Sequence, residues 1–250
     1  MFEAIIEKDR LESLLEPVSA IVDECKIHLG GEAVSISAVD ASNVALVDVQ
    51  LDAAAFESYE TDGGVIAVHL DRLEAVVANA DAGGLVKLRL NDETRKLQIA
   101  FGRVDFELAL LDPDAVREEP DLPDLDLPAE VGVEGRHLDQ AVTLTSMVAD
   151  HLVLGVDSTA GVFYATCAGD TDQVHIEHPG DELRTLTGGE ARSLFSLDYL
   201  EDINKTIDKD AEVDLHLGEE VPAKIGFQIA DAHGDCEFLL SPRLETEGGQ

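Results

Sequence analysis

The chain has 250 residues, which suits two domains of ordinary size, and 45% of them are hydrophobic, enough for a core in each. Only 4% are aromatic and Trp is absent, so those cores rest on Val, Leu, Ile and Ala. Acidic residues number 53 against 17 basic, a net charge of −36 spread along the whole chain, which excludes a local acidic tail.

In chain order, Leu11, Leu14, Leu15 and Val18 follow helical spacing, and Asp9 with Glu12 predicts a capping box at the start of that helix. Strands are predicted over 33–39 and 44–51 from period-2 alternation or apolar runs. A second helix begins near Leu70 and is expected to bury Leu73, Val76, Val77 and Ala80. Strands follow over 85–90, 96–101 and 104–111. Residues 113–130 hold four prolines and seven acids, a composition that favours an extended strap. Its Leu122, Leu125 and Leu127 fit either a linker clipped to the nearest surface or a strap bordering a docking groove. A third helix carries Leu138, Ala141 and Val142, and strands are predicted over 152–156, 161–167 and 173–178. A fourth helix buries Leu200, Ile203 and Ile207, and strands over 212–217, 223–230 and 236–240 complete the chain.

The two halves repeat. Leu70-Asp71-Arg72-Leu73-Glu74 returns as Leu197-Asp198-Tyr199-Leu200-Glu201, and Val86-Lys87-Leu88-Arg89-Leu90 as Val213-Asp214-Leu215-His216-Leu217. Near the end Leu110-Leu111-Asp112-Pro113 meets Leu239-Leu240-Ser241-Pro242. A repeat this long is a duplicated domain and not a solenoid unit. The expected organisation is an α+β domain over 1–112, a strap over 113–130 and a second such domain over 131–250, each with two helices packed on β-sheets.

Signals for catalysis are missing. There is no phosphate-binding Gly-rich loop, no dinucleotide fingerprint, no paired Cys-x-x-Cys and no nucleophile elbow. His175 and His178 are three apart in a predicted strand, so they are expected on opposite faces. Asp170 with Asp172, and Asp208 with Asp210, arise readily by chance among 53 acids. No metal site, no cofactor and no enzyme activity is expected. Cys25, Cys167 and Cys236 are odd in number and widely spaced, and read as buried thiols of a reducing compartment. No signal peptide and no apolar run of membrane-spanning length is visible, so a cytoplasmic protein without a membrane partner is expected.

Two domains of two helices each, the strap, the segment Val39-Asp40-Ala41-Ser42-Asn43-Val44-Ala45-Leu46-Val47 and the ending Phe238-Leu239-Leu240-Ser241-Pro242-Arg243-Leu244 together resemble PCNA, the archaeal and eukaryotic DNA sliding clamp. Leu194-Phe195-Ser196-Leu197-Asp198-Tyr199-Leu200 looks like its fourth-helix entry. The resemblance covers essentially the whole chain, and the acidity points to a salt-accumulating archaeon. It implies the DNA clamp fold and a homotrimeric ring around duplex DNA, without catalysis. It also implies that the ring tethers DNA polymerase, flap endonuclease and DNA ligase, and that a clamp loader opens it. Peptides carrying the PCNA-interacting motif would dock at Val39, Asn43, Val44, Leu46, Leu122, Leu125, Pro222, Leu239, Ser241 and Pro242. Plain core remains the alternative for Val44 and Leu46. Subunit contacts are implied at Phe106, Leu108, Leu110, Val174 and Ile176. The chain departs from the family on its helix faces, where basic residues are sparse, and Arg72, Lys205 and Lys209 are the expected phosphate neighbours. A non-encircling acidic scaffold that binds partner peptides is the alternative reading, and an enzyme with carboxylate-held metal a more distant one.

The spread of acid predicts dependence on salt. Screening shrinks from a reach of about 10 Å at about 0.1 M to about 3 Å at about 1 M. Circular dichroism across a salt series is expected to show the folded state lost in dilute buffer and retained in molar salt. Indifference to salt would mean that the acid excess serves another purpose.

Overall fold

The computed structural model describes residues 1–91, 93–120 and 125–243. The chain divides into two compact units, one made of Met1–Ala41, Leu46–Asp121 and Gln228–Cys236, the other of Ser42–Ala45, Leu122–Phe227 and Glu237–Gln250.

In the first unit, β1 (Phe2–Glu7) alternates buried and half-buried residues and runs without a loop into α1 (Lys8–Ser19). The helix buries Leu11, Leu14, Leu15 and Val18, the predicted stripe. The predicted capping box does not form: the N-cap is Glu7, and it makes no side-chain cap bond. Asp9 instead lies in the first turn, where its charge favours the positive end of the helix dipole. Next come β2 (Glu24–Leu29), β3 (Ala33–Val39), β4 (Ala45–Asp52), β5 (Ser58–Thr61) and β6 (Val65–His69). Strand β6 leads straight into α2 (Leu70–Val77), which buries Leu70, Leu73 and Val77, while Val76 is only half-buried. Ala80 is buried just past the helix end. Then follow β7 (Leu85–Asn91), β8 (Lys96–Phe101) and β9 (Val104–Ala109). One sheet has the order β5-β1-β7-β8-β9, and β4, β3, β2 and β6 are consecutive neighbours in another. The strand predicted to reach residue 111 stops at Ala109, and Leu111 forms a separate bridge to Ala67.

The second unit follows the same plan with β10 (Ala129–Glu134), α3 (Gly135–Thr145), β11 (His151–Asp157), β12 (Val162–Ala168) and β13 (Gln173–Pro179). It continues with β14 (Thr185–Gly188), β15 (Ala191–Ser196), α4 (Leu197–Lys205), β16 (Glu212–Leu217), β17 (Ala223–Ile229) and β18 (Gly234–Leu240), although the end of β17 and the start of β18, within Gln228–Cys236, belong to the first unit. Here the sheet orders are β14-β10-β16-β17-β18 and β13-β12-β11-β15. Position for position, β4 corresponds to β13 and β9 to β18. Helix α1 packs on α2, and α3 on α4. Leu138, Ala141 and Val142 are buried on α3, and Leu200 and Ile203 on α4, as predicted. Ile207 is buried beyond the end of α4. Phe195 and Phe238 are the largest fully buried side chains among the described residues of this unit.

All three cysteines are buried, and none is in a disulfide. Burial, and then the charges of Glu119 and Glu74, push the Cys25 thiol up to about 12, so it stays protonated and unreactive near neutrality.

Gly188 closes the β14 end with φ +97°, and a Cβ there would stand 1.8 Å from the Pro128 carbonyl oxygen. Both the backbone conformation and the contact demand glycine. Gly188→Ala is expected to cost about 3 kcal/mol, read as a lower denaturant midpoint. An unchanged midpoint would show that the β10–β14 pairing yields freely.

Candidate functional site: helix faces, open strand edges and the strap

The exposed faces of the helices carry carboxylates, and most nearby cations are already engaged by them. On α4, Lys205 donates to Asp202 at 2.8 Å, and this bond raises the lysine's pKa. Lys209 donates to Asp139 of α3 at 2.7 Å. That bond, together with one from Asn204, holds the Asp139 carboxyl below the usual carboxylate range. Arg136 pairs with Glu134 at 2.7 Å and Asp210 at 2.9 Å. In the first unit Arg72 is exposed, and its guanidinium makes no ion pair among the described residues. Of the three predicted phosphate neighbours, two therefore sit in internal pairs and one is unengaged. Sequence reasoning missed Lys8, which reaches Glu12 at 3.5 Å and the Ala78 carbonyl at 3.3 Å. The expected capping box, with Asp9 as N-cap, sets the helix start two residues later.

The strand edges differ in a telling way. In the first unit the edge of β4 is covered: Gly234, at the start of β18, lies so close that a Cβ would meet the Gln50 carbonyl oxygen at 2.6 Å. The Asp52 N–H also donates to the His233 carbonyl at 2.9 Å. In the second unit the Ser241 N–H donates to the Val44 carbonyl at 2.8 Å. By contrast, among the described residues β9 and β13 each pair on one side only, β9 with β8 and β13 with β12. Val104 and Phe106 of β9 are exposed at 45% and 36%, high for large apolar side chains on a strand. Val174 and Ile176 lie on the half-buried face of β13. Leu108 is a correction to the expected contact set: at 1% exposure it fills the core, so only its backbone faces the open edge. Leu110 lies past the end of β9 and is half-buried.

The strap begins as a clip on the first unit. Val116 is buried, Arg117 donates to the Asp40 carbonyl at 2.7 Å, and His28 Nε2 meets Glu119 Oε1 at 2.5 Å. A cleft of about 640 Å³ opens beside this clip, lined by Ile21, Val39, Ala41, Val116, Arg117 and Glu119 among others. The residues that hold the described start of the strap are thus a valine and two charged side chains. Leu122 lies outside the described residues, and Leu125 and Leu127 are half-buried.

The expected docking residues sort by environment. In the first unit Val39 faces Leu46 across the β3–β4 register; Val39 is half-buried and Leu46 buried. In the second unit Asn43 is exposed in the left-handed region with φ 57°, and Val44, Pro222, Ser241 and Pro242 are half-buried. Leu239 is 8% exposed. Leu46 and Leu239 therefore belong to the core, and Val44 does not.

Comparison with known proteins follows the same line. Residues 1–110 match the model of the proliferating cell nuclear antigen N-terminal domain. A DNA polymerase sliding clamp of Haloarcula marismortui is 54% identical over 247 residues, 99% of this chain and 100% of that protein. One from Natronomonas pharaonis is 55% identical with the same coverage. The solved structure of A. fulgidus PCNA bound to the C-terminal region of FEN-1 superposes with a TM-score of 0.93 at 31% identity, covering 99% of this chain and 100% of that one. No helix of the described residues is long and apolar enough to cross a membrane. With a duplicated α+β unit, two helices in each, and this likeness over its whole length, the chain belongs to the PCNA family of DNA sliding clamps.

Proposed function

We propose that this chain closes with two further copies into a ring around duplex DNA. In that ring, 1–112 and 131–250 act as paired clamp domains joined by the 113–130 strap. The observation that carries the reading is the mismatch of edges. Strand β4 is covered by the start of β18, whereas β13 and β9, their counterparts by sheet position, each pair on one side only. An uncovered edge with exposed Val104 and Phe106 is an aggregation hazard unless something pairs with it. Head-to-tail pairing of β9 with β13 of the next copy repeats the covered arrangement, and such a heterologous contact closes into a ring.

In this reading the ring acts in the cytoplasm as a processivity factor without chemistry of its own. It tethers DNA polymerase, flap endonuclease and DNA ligase, and receives its loader, through peptides that dock near the strap. The FEN-1 tail bound to the A. fulgidus relative supports the peptide mode. Retention on DNA comes from closure more than from affinity. Lys205 and Lys209 are engaged by carboxylates, and phosphate contacts lose strength log-linearly as salt rises.

Sedimentation in about 2 M salt, chosen for strong screening, is expected to give a trimer of the 26.8 kDa chain. Phe106→Asp is expected to give a folded monomer. A wild-type monomer at micromolar concentration would favour the non-encircling scaffold.

Val44→Glu tests docking separately. Val44 is half-buried, and its bond to Ser241 runs through the backbone, so the fold is expected to survive. A carboxylate introduced among apolar anchors lacks a partner, and affinity for a PCNA-interacting peptide is expected to fall about tenfold or more by titration calorimetry. Unchanged affinity would remove Val44 from the docking surface.

A further inference from the structure

Helix α3 and the edge strand β13 of the second unit meet through two histidines. The ring centroids of His137 and His178 lie 4.5 Å apart with an interplanar angle of 37°. His178 also stacks on buried Phe163, its cross-strand neighbour on β12, at 6.2 Å and 16°. The His137 Nδ1 atom is buried and has no hydrogen-bond partner among the described residues. His175, on the opposite face of β13, instead pairs with Glu177 at 2.8 Å and packs against Tyr164. The two strand histidines thus face different surroundings, and neither His137 nor His178 is among the residues expected at the docking pocket or the DNA channel.

We propose that the His137–His178 pair is a proton-sensitive latch that keeps the edge strand β13 docked on helix α3. As neutral rings the two imidazoles and Phe163 form an aromatic stack. A proton on His178 would place a cation against a second imidazole, in a partly desolvated position beside the first turn of α3, the positive end of the helix dipole. Burial, and then His137, hold the pKa of His178 below the ordinary histidine value, while Glu182 pulls the other way. Most of the other charges on these elements have partners of their own. Arg136 pairs with Glu134 and Asp210, and Asp139 with Lys209 and Asn204. Asp181 sits with Glu182 in the turn that follows β13, and β12 contributes the uncharged Phe163.

The sign follows from linkage. Because the folded-state pKa of His178 is depressed, the unfolded chain takes up the proton first as pH falls. The latch contributes fully above the ordinary histidine pKa, and its contribution is lost as pH falls from there through the folded value. On the ring proposed above, and resting on that reading, β13 is the strand that meets the neighbouring copy, so acid would also loosen the ring.

The test compares thermal melting of the wild type, His178→Phe and His175→Gln in molar salt from about pH 8 to about pH 5, the range that spans histidine titration. Wild type and His175→Gln are expected to lose several degrees more on acidification than His178→Phe, which keeps the stack without the titration. Equal losses in all three would overturn the latch. Should His178→Phe fail to fold, proton NMR of the wild type decides: His178 titrating below about 6.5 supports the latch, and titration at or above that value overturns it. Sedimentation at each pH separates the two readings. A monomer throughout would end the ring proposal, and the melting comparison would still judge the latch.

Discussion

Main-chain hydrogen bonding at the sheet edges is the constraint on which the rest of this structure depends. Every strand end of a sheet presents a row of N–H and C=O groups that must be paired or solvated. The duplicated unit solves the problem for β4, whose edge is covered where Gly234 comes within a Cβ's reach of the Gln50 carbonyl. It leaves the equivalent problem open at β9 and β13. A duplicated fold with an unequal treatment of equivalent edges is a natural building block for a closed assembly. The exposed apolar side chains on β9 lie where such closure would bury them.

Charge is the second constraint, and it is handled locally. With a net charge of −36, a lysine on a helix face finds carboxylates before it finds a distant ligand. Lys205, Lys209 and Arg136 all show this, each bonded to an acid within the same unit. Exposed pairs of this kind add little to stability. On the proposed ring their consequence would be functional, since a cation already bonded to a carboxylate has less to give a phosphate. Relatives from salt-loving archaea share more than half of the sequence, and in concentrated salt a closed ring is a more dependable hold on DNA than ionic contacts.

Much of the helical architecture was legible in advance, because a stripe such as Leu11, Leu14, Leu15 and Val18 has a period that only a helix satisfies. The long alternating strands, such as β3 and β7, were legible for the same reason at period 2. Strands β1, β6, β10 and β15 were missed because each runs directly into a helix with no turn residue to separate the two periods. The short strands β5 and β14, at four residues each, are too brief for a pattern to emerge. The capping box between Asp9 and Glu12 matched a local motif, but the helix starts at Lys8, directly after β1.

The sequence by itself determined the duplication, the class of each unit, the acid excess and the family likeness, since these follow from composition and from patterns repeated along the chain. The tertiary structure alone decided which residues of the expected site are core and which are surface. Leu46, Leu108 and Leu239 share the hydrophobic character of Val44 and Phe106, yet the first three are buried and the last two are not. Side-chain chemistry says that a leucine prefers burial, but which leucine is covered depends on strands distant in sequence. The same holds for His175 and His178, three residues apart, where the pleat and the arrival of α3 send one to solvent and the other into an aromatic stack.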